Sequence, residues 1–250
     1  EFAKLALILG LAKHLRFKPE ARTYDGLLVP LLITAVPALL VLRQPDLGSS
    51  LVFWPVLLAM CFAAGAPARS LVAVVVVGVA SLVAAYFFVL HDYQKLRVDA
   101  WWQHFAWDTQ GEHSSSVREM LMGPGYQPWQ ALIAIGGGGV SGFGYAAGPQ
   151  NRYDFLPYRF DDYIFAVIAE EFGFLGAVGL LLIVFAMVVR LLQIARKSRE
   201  RFGRLLAVGV AAYIGMQSLM HIAVCAWAVP ATGLPLPLVS YGGSSTVVAA

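Results

Sequence analysis

The chain has 250 residues, of which 59% are hydrophobic and only 13% charged, and its mean hydropathy is +0.69. A soluble domain carries about a quarter charged residues, so this deficit excludes an ordinary soluble globule and points to a polytopic membrane protein. The net charge of +3 is too small for a nucleic-acid-binding signature, and no nucleic-acid partner is expected.

A helix needs about 20 mostly apolar residues to cross a bilayer. In chain order the expected spans are 2–12, 27–42, 51–64, 71–90, 163–194, 205–229 and one that starts at Ser244. The first and last read as cut within a helix, because the sequence begins at Glu1 and ends in the apolar run 247–250. The third is short and needs Ser49 and Ser50 to complete it. The fold class expected is all-α, a transmembrane helical bundle forming one domain over 1–250. Cys61 and Cys225 lie in apolar stretches and read as small buried hydrophobes rather than as a disulfide.

Basic residues set the orientation. Lys13, Arg16, Lys18 and Arg22 follow the first span, Arg69 follows the third, and Arg190, Arg196, Lys197, Arg199, Arg201 and Arg204 lie around the end of the fifth. All three connections fall on one side, which is read as cytoplasmic. The other side receives 43–50, the long segment 91–162 and the loop 230–243. The long segment is read as an extracytoplasmic loop, and a loop of that length in a compact protein is usually functional. Within it, 129–135 followed by glycines reads as a short interfacial or re-entrant helix, and Trp101, Trp102, Trp107 and Trp129 suit the headgroup level.

Several residues there are of types that carry chemistry. Asp161 and Asp162 stand where the long segment enters a span. Two readings apply: a helix cap favoured by the dipole, or a carboxylate poised as a general base, with the neighbouring acid raising its pKa. Glu170 and Glu171 lie about 12 Å deeper on the same helix, at ~1.5 Å per residue. Intramembrane acids are costly, so each is either functional or the partner of a buried cation or helix terminus. Asp46 with Ser49 and Ser50 reads first as a capping cluster. The run Pro235-Leu-Pro-Leu-Val-Ser-Tyr-Gly-Gly-Ser-Ser cannot be regular helix. It reads either as a tight connection or as a loop whose backbone N–H groups suit an anion. Gly137-Gly-Gly-Val-Ser-Gly142 matches a dinucleotide fingerprint only formally, since no strand precedes it; close helix packing or backbone approach to a ligand is the expected role. His104, Asp108, Glu112 and His113 are metal-ligand types without a metal-site spacing. His221 inside a span reads as a packing residue rather than a ligand, although intramembrane histidines also relay protons.

Taken in order, Glu1-Phe-Ala-Lys-Leu-Ala-Leu, Gln44-Pro45-Asp46-Leu-Gly, Gly125-Tyr-Gln, Ile133-Ala-Ile-Gly, Asp162-Tyr-Ile-Phe-Ala-Val-Ile-Ala-Glu-Glu-Phe-Gly and Pro235 to Ser245, which holds Ser240, Tyr241, Gly242 and Gly243, resemble the SEDS family over essentially the whole chain. SEDS proteins (shape, elongation, division and sporulation; RodA and FtsW) share a ten-helix fold, of which this chain would be a fragment. The resemblance implies a peptidoglycan glycosyltransferase of the bacterial cytoplasmic membrane. Such an enzyme polymerises lipid II, an undecaprenyl-pyrophosphate-linked disaccharide-pentapeptide, at the outer face, with a class B penicillin-binding protein as partner. It places the essential acid on Asp162 and a second one on Asp154. The chain departs from the family pattern at Phe160-Asp161, Tyr158, Ala169 and His221, where histidine stands for a common asparagine. Thr232 in place of a lysine leans toward the RodA branch. The implied chemistry needs cations at the departing pyrophosphate. Lys95, Arg97, Arg152 and Arg159 are the candidates, and a divalent cation, Mg or Mn, is the one cofactor considered. The alternatives are a lipid-precursor flippase or transporter and a noncatalytic scaffold for a transpeptidase.

Overall fold

Runs this apolar must satisfy their backbone polar groups internally, and in lipid a helix does so within one segment. The computed structural model describes residues 2–17, 25–44, 46–88, 91–110, 121–157 and 159–241. Their regular structure is all helix, without a strand among the described residues: α1 (Phe2–Phe17), α2 (Asp25–Arg43), α3 (Leu47–Ala64), α4 (Ala68–Phe88), α5 (Asp92–Gln110), α6 (Tyr126–Gly137), α7 (Pro149–Arg152), α8 (Ile164–Lys197) and α9 (Arg201–Cys225). Among the described residues four helices are long and apolar enough to cross a membrane: α2 from Gly26, α3, α8 and α9. This is the architecture of a multi-pass membrane protein.

Several expected boundaries shift. The first helix runs on to Phe17, and α3 starts at Leu47, so Ser49 and Ser50 do complete it. Asp46 is the N-cap of α3 and accepts from the Ser49 N–H at 2.9 Å, which fixes that start. The segment 91–162 is not an irregular loop, since α5, α6 and α7 lie in it. The expected last span, from Ser244, lies outside the described residues.

The chain divides into two compact units. One comprises 1–89, 183–217 and 247–250. In it α1, α2 and α3 pack on one another, with Ile8, Leu11 and Leu15 of α1 and Phe53, Leu57 and Met60 of α3 buried. Lys4 is buried there and donates from Nζ to Gln217 Oε1 at 2.8 Å, with the Tyr213 ring 5.7 Å away. A charge in an apolar bundle persists only with such partners.

The other unit comprises 90–182 and 218–246. Its centre is a break in α8. At Gly173 the backbone turns to φ 64°, ψ −161°, and two helical hydrogen bonds are lost. The orphaned donors find new acceptors: Phe174 N–H to Gly139 O at 2.8 Å and Leu175 N–H to Val140 O at 3.2 Å. The orphaned acceptors find new donors: Glu170 O from Phe143 N–H at 3.1 Å and Glu171 O from Gly144 N–H at 2.9 Å. The glycine segment after α6 is thus seated in the broken helix with every one of these groups satisfied. The expectation of close packing for the glycine run is met in this form.

In the same unit α9 ends in a Schellman motif, with Ala228 N–H on Ala223 O at 2.8 Å and Trp227 N–H on Val224 O at 3.0 Å. Trp227 takes the left-handed position, φ 50°, that glycine usually fills. The cost is of order 1–2 kcal/mol, and it is offset by burial, since Trp227 is 1% exposed and stacks on His104 of α5 at 4.2 Å. This contact explains why α5, polar and without an apolar stripe, is a docked helix.

Candidate functional site

Asp161 and Asp162 lie in the turn before α8, whose first helical residue is Ile164. Tyr163 is therefore next to the helix start, with both acids just before it, near the positive end of the helix dipole. Their backbone is held by the loop after α9. The Ser240 hydroxyl donates to Asp161 O at 2.7 Å and accepts from the Leu236 N–H at 2.7 Å. The Tyr241 N–H donates to Phe160 O at 3.0 Å. The prolines at 235 and 237 leave this loop non-helical, and its amides are largely spent on the chain itself. Leu236 uses its amide to hold Ser240 and Tyr241 uses its own to hold Phe160; the remainder of the run expected to suit an anion, 242–245, lies outside the described residues.

The same loop shapes the space at the Asp162 carboxylate. Gly233 has φ 65°, and a Cβ there would stand 3.4 Å from Asp162 Oδ2. That is ordinary contact distance, so it is the left-handed backbone that favours glycine here. Arg97 of α5 donates from Nη1 to Ala231 O at 3.3 Å in the same loop. Arg97 and Asp162 both lie within electrostatic reach of the buried Tyr163 phenol. The structure thus brings together Asp162, Arg97, Ser240 and the backbone of Tyr241 from three separate parts of the sequence. Asp161 Oδ1 and Thr232 Oγ1 are buried without a hydrogen-bond partner among the described residues. Buried polar atoms are normally paired.

The remaining expected residues have other engagements. Asp154, in a left-handed backbone at φ 55°, is ion-paired with Arg159 Nη1. Arg152 lies 5.9 Å from the Tyr153 ring. Lys95 is two positions from Arg97 on α5, a spacing that places it on a different face. Gln44 lies in a turn and Asp46 caps α3, in the other unit. Pro45, Gly242 and Gly243 lie outside the described residues, as do Glu112 and His113. No group of three metal-ligating side chains occurs among the described residues. Burial pushes the His104 imidazole below its ordinary pKa, which keeps it neutral where it stacks on Trp227.

Glu170 is buried and accepts from the Gln150 N–H at 2.7 Å and the Asn151 N–H at 3.2 Å. These amides open α7, whose own cap, Gly148, has no side chain to serve them. Glu171 accepts from Asn151 Nδ2. Glu170→Gln turns an N–H toward one of two donors, and losing a bond to a charged acceptor costs about 1.5–3 kcal/mol. The expected outcome is a lowered unfolding temperature with activity partly retained, measured by thermal unfolding beside the activity assay. A variant as stable as the wild type would contradict the clamp.

Sequence reasoning missed Gly233 and Trp227. The Thr-Gly pair after Pro230 is a turn signal that marks the first. Nothing local marks the second, because a tryptophan in a left-handed turn follows from its burial.

The model of the cell cycle protein family FtsW/RodA/SpoVE matches residues 1–250. Peptidoglycan glycosyltransferase MrdB of Escherichia coli K12 is 35% identical over 248 residues, which cover 99% of this chain and 64% of that protein. The probable peptidoglycan glycosyltransferase FtsW of Aliivibrio salmonicida is 36% identical over 257 residues, covering 99% of this chain and 59% of the other. This chain therefore spans less than two thirds of the length of these relatives. Among solved structures, a chain from work on the structural coordination of polymerization and crosslinking by a peptidoglycan synthase complex superposes with TM-score 0.75 at 32% identity, over 98% of this chain and 64% of that one. The rod shape determining protein RodA of Thermus thermophilus gives TM-score 0.62 at 30% identity, over 98% and 59%. The chain belongs to the FtsW/RodA/SpoVE family of cell cycle proteins.

Proposed function

We propose that the protein is a peptidoglycan glycosyltransferase that polymerises lipid II at the outer face of the bacterial cytoplasmic membrane, with Asp162 as general base. The observation that carries this reading is the Asp162 carboxylate placed beside Gly233, on a turn whose backbone is pinned by Ser240 and Tyr241. The reaction is a displacement at an anomeric carbon with inversion. The acceptor sugar hydroxyl attacks, its proton passes to the Asp162 carboxylate, and the lipid pyrophosphate departs. Arg97 hydrogen-bonds the loop that borders Asp162 and is the proposed partner of the departing charge. A divalent cation fits only as an ion shared with the pyrophosphate. Mg²⁺ is usually held by one or two carboxylates plus substrate phosphates, and the orphaned Asp161 Oδ1 is such a carboxylate.

The transporter reading rested on intramembrane acids. Glu170 and Glu171 are committed to Gln150 and Asn151, which leaves that reading without a free carboxylate in α8. The scaffold reading predicts that the Asp162 carboxylate is dispensable. The E. coli and Aliivibrio relatives carry glycosyltransferase names, and a solved relative comes from a synthase complex that couples polymerization to crosslinking. These support a class B penicillin-binding protein as partner. The deciding experiment gives lipid II to the purified full-length protein with and without that transpeptidase. Glycan strands are expected, and their absence in both arms would reject the proposal.

The orientation follows from the basic connections. A cysteine placed at position 108 is expected to react with an impermeant maleimide added outside cells, and one at position 198 is expected to be protected. The reverse pattern would invert the proposed topology and remove the outer-face site.

A further inference from the structure

His221 lies inside α9, fully buried, and the reaction described above gives it no step. Both ring nitrogens are nevertheless committed. Nδ1 lies 2.7 Å from the Leu234 carbonyl oxygen, an acceptor that only an N–H satisfies, so the proton of the neutral ring sits on Nδ1. Nε2 is then an acceptor, and the Phe165 N–H donates to it at 3.4 Å. That N–H belongs to the first turn of α8, where no helical carbonyl is available.

The two partners flank the candidate base. Phe165 follows Asp162 by three residues, and Leu234 directly follows Gly233, against which the Asp162 carboxylate rests. One imidazole therefore ties the backbone that carries the aspartate to the loop that borders it. An apolar side chain of similar volume would fill the space but orphan a carbonyl and an N–H inside the bundle, where no water replaces the bonds.

We propose that His221 is a positioning residue: its neutral ring, protonated on Nδ1, sets the separation of the Asp162 segment from the Gly233 loop and so the reach of the carboxylate toward the acceptor hydroxyl. The inference rests on the glycosyltransferase reading. Its signature is a loss in the chemical step without a loss in substrate binding, because His221 touches neither the pyrophosphate candidate Arg97 nor the surface.

The experiment compares wild type, His221→Leu and His221→Gln in the full-length protein, with kcat and KM for lipid II polymerisation, thermal unfolding, and histidine nitrogen NMR. A displacement of about 1 Å costs roughly 100-fold in rate, so His221→Leu is expected to lower kcat by about 10- to 100-fold with KM unchanged. Gln, which carries a donor and an acceptor, is expected to restore part of kcat. The spectrum is expected to show a protonated Nδ1 and a bare Nε2. Wild-type kcat in His221→Leu, a loss that appears in KM, a Gln variant no better than Leu, or the opposite tautomer would each overturn the assignment. Should His221→Leu not fold, His221→Asn, too short to span both partners, replaces it: kcat below that of Gln at equal thermal stability supports the role, and equal kcat overturns it. An inactive wild type would instead reject the glycosyltransferase reading, a result distinct from any of these.

Discussion

Asp162→Asn is expected to leave glycan polymerisation nearly undetectable, a fall of about 10²–10⁴-fold in rate, because a general base typically contributes that much. The substitution keeps the shape of the side chain beside Gly233 and removes only the proton acceptor. The pinning of this turn includes a backbone part. It runs through the carbonyls of Phe160 and Asp161, held by the Tyr241 N–H and the Ser240 hydroxyl. Folding and membrane insertion should therefore persist, and thermal unfolding measured on the same preparation separates a chemical loss from a structural one. Asp161→Asn should be milder, since the family motif aligns its base with the second of the two acids. Polymerisation by purified Asp162→Asn at the wild-type rate would sink the catalytic assignment. An inactive Asp161→Asn beside an active Asp162→Asn would move the base by one residue.

What the sequence made legible follows from which physics is local. The spans α2, α3, α8 and α9 are legible because hydrophobic length alone commits a segment to crossing. The Asp46 cap is legible because capping is a matter of three residues. By contrast α5 carries Asp92, Lys95, Arg97, Asp99 and three tryptophans without an apolar stripe. It reads as a loop until His104 is seen stacked on Trp227 and Arg97 on Ala231. The break at Gly173 is hidden as well, since a single glycine is common in an apolar helix and only the arrival of residues 139–144 makes the turn stable. The loop 230–241 was legible as non-helical from its prolines, but not the destination of its amides. Hydrogen-bond partners 79 residues apart, such as Ser240 and Asp161, leave no trace in local pattern. Glu170 shows the same limit. Its depth marks it as exceptional, and only the fold tells that it serves α7 rather than a substrate.

The second large effect is expected at Gly142. Its φ is 78°, and a Cβ there would stand 2.1 Å from the Glu171 carbonyl oxygen and 2.6 Å from the Gly173 amide nitrogen. Both obstacles are backbone atoms of the broken helix, so no side-chain rotation relieves them. The Glu171 oxygen also accepts the Gly144 N–H at 2.9 Å, so moving α8 away undoes the exchange that satisfies the break. Gly142→Val adds left-handed strain to overpacking, and a destabilisation of about 3 kcal/mol or more is expected. Gly136 supplies the control, six residues earlier in the same glycine-rich stretch. It lies within α6, and a Cβ there meets nothing within 4 Å. Gly136→Ala should therefore be neutral or stabilising by about 0.5–1 kcal/mol, as for any helical glycine with open space. Thermal unfolding of both variants in one detergent decides. A Gly142→Val protein as stable as Gly136→Ala would mean that the glycine segment does not lie in the break of α8. The exchange of hydrogen bonds described around Gly173 would fall with it.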